Sequence, residues 1–428
     1  MSTTLAPPDT DTRSARTTPA GRTPRVTHDV AFWMIAATLI CFAAASSAPS
    51  PLYVVYQEQW GFSAITLTVV FAVYVLGLLG SLLVVGALSD HIGRRPVLAG
   101  AIALESVALV LFVVADGVPL LTAARVLQGI ATGAAFTTLS AALVDLQPVR
   151  FPGRAGVVNG SAPLIGLAVG SIGCGALVQY GPAPTHLVYV LLLGGMAVAA
   201  AIVHAMPETS TFRPGARASL KPRVSIPARL RPEVLSLVPA LAAGWSLGGL
   251  YLSLGPSVAA SIFGLQSHLV GGLVVTLMCG TGAITALIWR ARSAHFLLLV
   301  GSAILALGMA VTLVGLEADL VALAAIGTVV AGVGFGATGL GSFGTLARIA
   351  APDERGELFA VAYVISYLSF SLPAVAAGFA ATRVGLHDTA LVYGLVVIAC
   401  SLLAFGLRAA AVRRERADAP ASTVAERV

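Results

Sequence analysis

The run from residue 64 to residue 85 carries no charged side chain, and runs like it recur along the chain. At 1.5 Å per residue a helix of that length reaches about 33 Å, enough to cross a hydrocarbon core about 30 Å thick. A soluble protein has no place for many such runs, because its surface must be covered with polar groups. In hydrocarbon every backbone N–H and C=O needs an internal partner, which favours helices. The runs are too long and too continuously apolar for the alternating strands of a barrel. Composition agrees: 57% of residues are hydrophobic and 10% charged, against about 25% charged in soluble domains.

Charges, glycines and prolines divide the chain into twelve apolar segments, near 30–52, 63–87, 96–115, 119–143, 156–179 and 186–206, then 234–262, 268–289, 295–315, 320–346, 358–381 and 389–409. All but two of the 25 Lys and Arg fall in the tails or in alternate loops, on one face; the exceptions are Arg125 and Arg383. By the positive-inside rule this places both termini in the cytoplasm; the Ala/Gly/Arg-rich composition is compatible with a high-GC bacterium, so a multi-pass protein of a bacterial inner membrane is expected. Tyr53, Tyr56, Trp60 and Tyr180 lie near the other face, where an aromatic belt is expected.

The longest polar insertion, 207–233, separates six spans from six. The expected organisation is a disordered tail over 1–27, a six-helix bundle over 28–206, a central loop over 207–233, a second bundle over 234–410 and a tail over 411–428. The halves echo each other: Ala48-Pro49-Ser50 with Gly255-Pro256-Ser257, Gly129 and Gly133 with Gly332 and Gly336, Arg154 with Arg355. The predicted fold is an all-α integral membrane protein of twelve helices in two pseudo-symmetric six-helix bundles, a monomer. Two related bundles around a central site form an architecture that opens alternately to either side.

Other classes fit poorly. The net charge of +6 comes from basic residues scattered through short loops, not a nucleic-acid-binding face. Cys41, Cys174, Cys279 and Cys400 each lie inside an apolar run, so no disulfide framework is expected. The polar start resembles no cleavable signal peptide. No phosphate-binding loop occurs, and the spans hold no grouping with metal-ligand or nucleophile–base spacing. The chain is therefore expected not to be an enzyme and to need no cofactor or metal.

Some residues do point to chemistry. Residues 86–98, GALSDHIGRRPVL, form a charged knot between two spans, with Asp90 four residues before Arg94. Arg125 lies inside a span, where a guanidinium costs about 2.5–3.5 kcal/mol on insertion scales and faces a partner or water. Gln128, Gly129, Thr132, Gly133 and Phe136 share its helical face by their spacing, as for a cavity wall or a close helix contact. Glu105 lies about 15 Å from the inner face, near the midplane, where a carboxyl can hold or release a proton. Arg125 lies about 9 Å from the outer face, so an ion pair or a proton relay between the two is expected, unless Glu105 is structural. Tyr363, Ser366, Tyr367 and Phe370 form one stripe, either packing or a wall for ring-containing ligands. Tyr74, Asn159 and Trp245 are weaker lining candidates.

At these residues the chain resembles the major facilitator superfamily over nearly its whole length. Gly86, Leu88, Asp90, Gly93, Arg94 and Arg95 match the family's signature between spans two and three. Leu121 to Gly129, with Arg125 and Gln128, resembles the span-four motif of proton-coupled members. Pro49 and Pro51 resemble the span-one motif of twelve-span drug:proton antiporters, and Met206-Pro207-Glu208-Thr209 their exit from span six. The span-five antiporter signature is degenerate here: Gly170-Ser171-Ile172-Gly173-Cys174-Gly175 lacks its proline. The resemblance implies a proton-driven exporter of small amphipathic compounds, or else an uptake carrier for a neutral metabolite. It also implies a latch in which Asp90 meets the start of span eleven, with Gly86, Gly93, Arg94, Arg95 and Asp145 completing it.

Overall fold

A computed structural model describes residues 27–417, except 149, 152, 211, 222–223 and 352–353. Most of the expected tails, 1–26 and 418–428, lies outside the described residues. Twelve helices are long and apolar enough to cross a membrane: α1 His28–Trp60, α2 Ala64–Val85, α3 Arg94–Val113, α4 Val118–Asp145, α5 Arg154–Tyr180, α6 Leu187–Ala205, α7 Ala228–Ser253, α8 His268–Ile288, α9 Ala294–Glu317, α10 Val321–Ile349, α11 Arg355–Val384 and α12 Leu386–Arg413. A short helix, Gly255–Ser261, carries α7 onward past Leu254. An even number of crossings puts the start of α1 and the end of α12 on one side, the termini face.

The first span departs from its sequence reading. Proline argues for an end near residue 52, yet α1 runs on to Trp60, as segments His28–Ser47 and Pro49–Trp60 joined at Ala48. Pro49 sits in the first turn of the second segment, where its missing N–H is tolerated. Gly61 ends the helix in the left-handed region, φ 64°, as a C-terminal glycine does. The extra turns carry Tyr53 and Tyr56 into the bundle, where both are fully buried. They are therefore not part of an interfacial belt. Tyr56 bonds the hydroxyl of Tyr189 at 3.2 Å and stacks on Trp60, while Tyr180 remains exposed at the end of α5.

In the N-terminal half α4 packs on α2 and α3, α5 on α1, and α6 on α3; in the C-terminal half α10 packs on α8 and α9, and α7 on α11 and α12. Lipid tails are as apolar as leucine, so these contacts depend on close packing of small residues. A Cβ at Gly129 or Gly133 of α4 would strike the carbonyl of Tyr74 or Leu78 of α2. This resolves the α4 stripe: its glycines make a helix contact.

The halves meet along α5 with α8 and α2 with α11. Toward the face opposite the termini the approach is tight: Gly378 of α11 lies on Thr68 of α2, and Gly175 of α5 on the His268 backbone of α8. At the termini face, Arg94 with Asp90 and Asp145, Arg229 with Glu354, and Arg348 with Glu233 each pair within one half.

Gly133→Ala should lower stability by about 1–3 kcal/mol, the usual cost of overpacking, read as thermal unfolding of the detergent-solubilised protein. Gly80→Ala, where an added Cβ meets nothing within 4 Å, should leave stability unchanged or raise it.

Candidate functional site

Pro49 has no N–H to give the carbonyl four residues back, at Ala45. That vacancy is filled from α4: the Gln128 side-chain amide donates to Ala45 O at 3.0 Å. Its other N–H goes to the Glu105 carboxylate of α3, also at 3.0 Å. The Gln128 amide oxygen accepts from Arg125 at 2.7 Å. One amide thus ties together α1, α3 and α4.

Arg125 is 1% exposed, so it does not snorkel to the interface. Its Nε donates to the Tyr53 hydroxyl at 2.8 Å, and a terminal nitrogen bonds the same oxygen. The other terminal nitrogen reaches Ser46 O at 3.1 Å. The guanidinium carbon lies 5.1–5.8 Å from the ring centres of Tyr74, Tyr53 and Phe112. Aromatic faces attract such a cation, and Phe112 is itself stacked on Tyr189.

Glu105 is completely buried. One oxygen accepts from Gln128, and the other has no partner among the described residues. No direct ion pair joins Glu105 to Arg125; Gln128 stands between them and bonds both, which corrects the ion-pair expectation. Thr132 is also fully buried and donates to Gln128 O at 2.8 Å. A cavity of about 670 Å³ lies between α3 and α6, lined by Ile102, Ala103 and Ser106. It is separate from this network, with exposed Ala103 on its wall and buried Glu105 turned inward.

At the termini face the knot is a bonded unit. Arg94 is 8% exposed and bonds Asp90 at 2.5 Å, Ser89 at 2.6 Å and Asp145 at 3.2 Å. Gly93 needs to be glycine twice over: its φ is 98°, and a Cβ there would meet the Glu208 carboxylate at 2.8 Å. Glu208 accepts from the Arg94 and Arg95 N–H groups at 2.7 and 3.0 Å, capping the first turn of α3, where a carboxylate also complements the helix dipole. Arg95 in turn donates to Val203 O and His204 O at the end of α6. Gly86 closes α2, its N–H bonded to Leu82 O. The Asp90 side chain is 53% exposed.

The α11 stripe belongs to a longer aromatic ladder. Phe343 and Phe359 meet Tyr363 at 5.4 and 6.5 Å between ring centres, Tyr363 meets Tyr367 at 6.2 Å, and Trp245 meets Tyr367 at 4.9 Å and Phe370 at 5.9 Å. The ladder crosses to the other half where Phe71 of α2 meets Phe370 at 5.1 Å. Ser366 is fully buried, its hydroxyl without a partner among the described residues. Asn159 donates to Ser140 O at 3.3 Å. Tyr74 lies over Arg125.

Sequence reading missed Tyr53 as the seat of Arg125 and Glu208 as the brace of the knot. Pro49 carried a signal for the first site, since a proline inside a span leaves a carbonyl that another group must serve.

Twelve apolar helices in two halves, with a buried polar network in one and an aromatic wall in the other, define a multi-pass membrane transporter. Residues 35–374 match the model of the Major Facilitator Superfamily, and the chain belongs to that family. It is 30% identical over 171 residues to a probable anion transporter 2, chloroplastic, of Oryza sativa subsp. japonica, and 30% identical over 122 residues to the MFS-type transporter paaT of Penicillium rubens. Those segments span 40% and 28% of this chain, but only 30% and 22% of the relatives' lengths. The fold is similar to that of a bacterial homologue of the human lysosomal transporter Spinster, solved inward-facing and unoccupied. That match has a TM-score of 0.71 at 13% identity and covers 91% of this chain and 98% of the other.

Tyr53→Phe should destabilise the protein by about 1–3 kcal/mol, since it takes the shared acceptor from a buried guanidinium. Glu208→Ala should cost about 1 kcal/mol by uncapping α3. Thermal unfolding in detergent checks both.

Proposed function

We propose that this transporter is a proton-coupled exporter of small amphipathic compounds, working by alternating access in a bacterial inner membrane with both termini cytoplasmic. The observation that carries the reading is the Glu105–Gln128–Arg125 relay. Glu105 is fully buried, has one oxygen without a partner among the described residues, and shares the Gln128 amide with a guanidinium anchored to α1 near its break at Ala48. Ionised, Glu105 balances the Arg125 charge through Gln128. Protonated, it leaves that charge to Tyr53, Ser46 and the ring faces. The two forms pull differently on the Gln128–Ala45 bond, and so on the α1 break at Ala48.

The substrate side of this reading rests on the ladder of Trp245, Tyr363, Tyr367 and Phe370, with Ser366 beside it, whose hydroxyl has no partner among the described residues. Aromatic faces suit flat apolar rings, and a few polar groups set orientation. An anionic substrate, as the name of the rice relative describes, would need a free cation. Arg125 is instead committed to four hydrogen bonds. At the termini face the bonded knot of Asp90, Arg94, Arg95 and Asp145, hinged at Gly86 and Gly93, serves as the latch. In the state described here the Asp90 carboxylate pairs with Arg94, and it engages the start of α11 when the termini face closes.

In proteoliposomes with an imposed proton gradient, the protein should drive accumulation of an amphipathic dye such as ethidium, and an uncoupler should abolish it. Uptake indifferent to the uncoupler would make the protein a facilitator. Arg125→Ala and Glu105→Gln should each reduce proton-driven uptake at least tenfold while the protein remains monodisperse. Glu105→Gln with an unchanged rate and pH profile would remove Glu105 from the mechanism.

A further inference from the structure

The two halves treat their matched prolines differently. Pro49 and Pro256 occupy the same place in the repeat, and each deprives the carbonyl four residues earlier of its helical donor. A buried carbonyl needs a replacement donor. In the N-terminal half Ala45 O receives Gln128 from within the same half. In the C-terminal half Leu252 O receives the hydroxyl of Ser50, from the other half, at 2.7 Å. Ser50 is 1% exposed and Leu252 4%. The matching hydroxyl on the other side, Ser257, is buried and has no partner among the described residues.

We propose that the Ser50 hydroxyl is a one-sided lock that holds the halves together on the face opposite the termini, and that its twin Ser257 has no such part. The proposal rests on the alternating-access reading above. It singles out Ser50 from the other bonds between the halves. Thr276 donates to Ala168 O at 2.9 Å, but also to Gly272 O of its own helix at 2.8 Å, so it keeps a partner when the halves part. The bonds of Ser267 and His268 to Gln179 are exposed, and water replaces them. Only when Ser50 withdraws is a carbonyl left that its own helix cannot serve, until water enters the opening gap. The Ser50–Leu252 bond therefore favours the closed form of that face. Ala45, whose carbonyl takes Gln128, and Ser50 lie on successive turns of α1 on either side of the break at Ala48, so the relay and the lock share one proline.

The test uses the full chain in detergent or nanodiscs, with Cys41, Cys174, Cys279 and Cys400 replaced by alanine. Spin labels go at Glu58→Cys and Gln266→Cys, exposed positions in the two halves on the face opposite the termini. Distances between the labels are read without substrate or gradient, so a failed uptake assay would leave this result standing. Ser50→Ala should raise the ratio of separated to closed halves about fivefold, the effect of one hydrogen bond. Ser257→Ala should leave the distribution unchanged. Pro256→Ala returns a helical donor to Leu252 O, so adding Ser50→Ala to it should shift the ratio no further. This pair also covers the case in which Ser50→Ala alone folds poorly. An unchanged distribution in Ser50→Ala, an equal shift in Ser257→Ala, or a full additional shift on the Pro256→Ala background would each overturn the proposal.

Discussion

A missing N–H organises the N-terminal half. Because Pro49 cannot serve Ala45 O, a side chain from another helix must, and Gln128 does. Once Gln128 is fixed there, its second N–H holds Glu105 and its oxygen holds Arg125. The cost of a guanidinium inside a bundle, about 2.5–3.5 kcal/mol on insertion scales, is offset by four hydrogen bonds and three aromatic faces, each face contributing about 0.5–2 kcal/mol. The extension of α1 to Trp60 belongs to the same arrangement, since Tyr53 lies beyond the proline and supplies the acceptor that Arg125 most depends on.

The termini face is asymmetric in a way the repeat hides. The N-terminal half has an arginine bridging two carboxylates, and Glu208 at the start of the central loop caps α3. Thr209 adds a bond to Asp145 and Ser210 one to the Asp90 carbonyl. The knot is therefore braced by the segment that leads toward the second half. In the C-terminal half Arg229, just ahead of the long part of α7, pairs with Glu354 ahead of α11. Each half is internally tied at this face, as two bodies that move against each other require.

Much of this was legible in the sequence, and the reasons are specific. Apolar runs gave the twelve spans because a bilayer imposes one length and one secondary structure on all of them. The glycines at 129 and 133 allowed either a cavity wall or a close contact, and the carbonyls of Tyr74 and Leu78 against them decide for the contact. The polar members of the relay were visible as intramembrane oddities, Glu105 and Arg125, with Gln128 one turn on. What spacing along a chain does not encode is the third partner between two others. Gln128 intervenes because α3, α4 and α1 converge, and convergence is a tertiary fact. Tyr53 was misplaced for a related reason: a tyrosine near a span's end fits a belt equally well, until the helix is seen to continue. Glu208 read as a family exit motif, although its work is done on a helix whose sequence lies more than a hundred residues earlier.

On the reading proposed above, protons act in one half and the substrate wall stands in the other, so coupling must cross between them. The helix placed to do this is α2. Tyr74 lies over Arg125, and Phe71, one turn earlier, lies against Phe370 at the end of the aromatic ladder. Residues three apart share a helical face, so one stripe of α2 touches the relay and the wall together. The same helix is fixed to α4 by glycine contacts that leave no slack, at Gly129 under Tyr74 and Gly133 under Leu78. A shift of Arg125 therefore acts on a rigid pair of helices rather than on a loose side chain. Packed interiors respond to such a shift by moving as units. Phe71 then carries the displacement to the surface of α11, where the ladder of the C-terminal half begins.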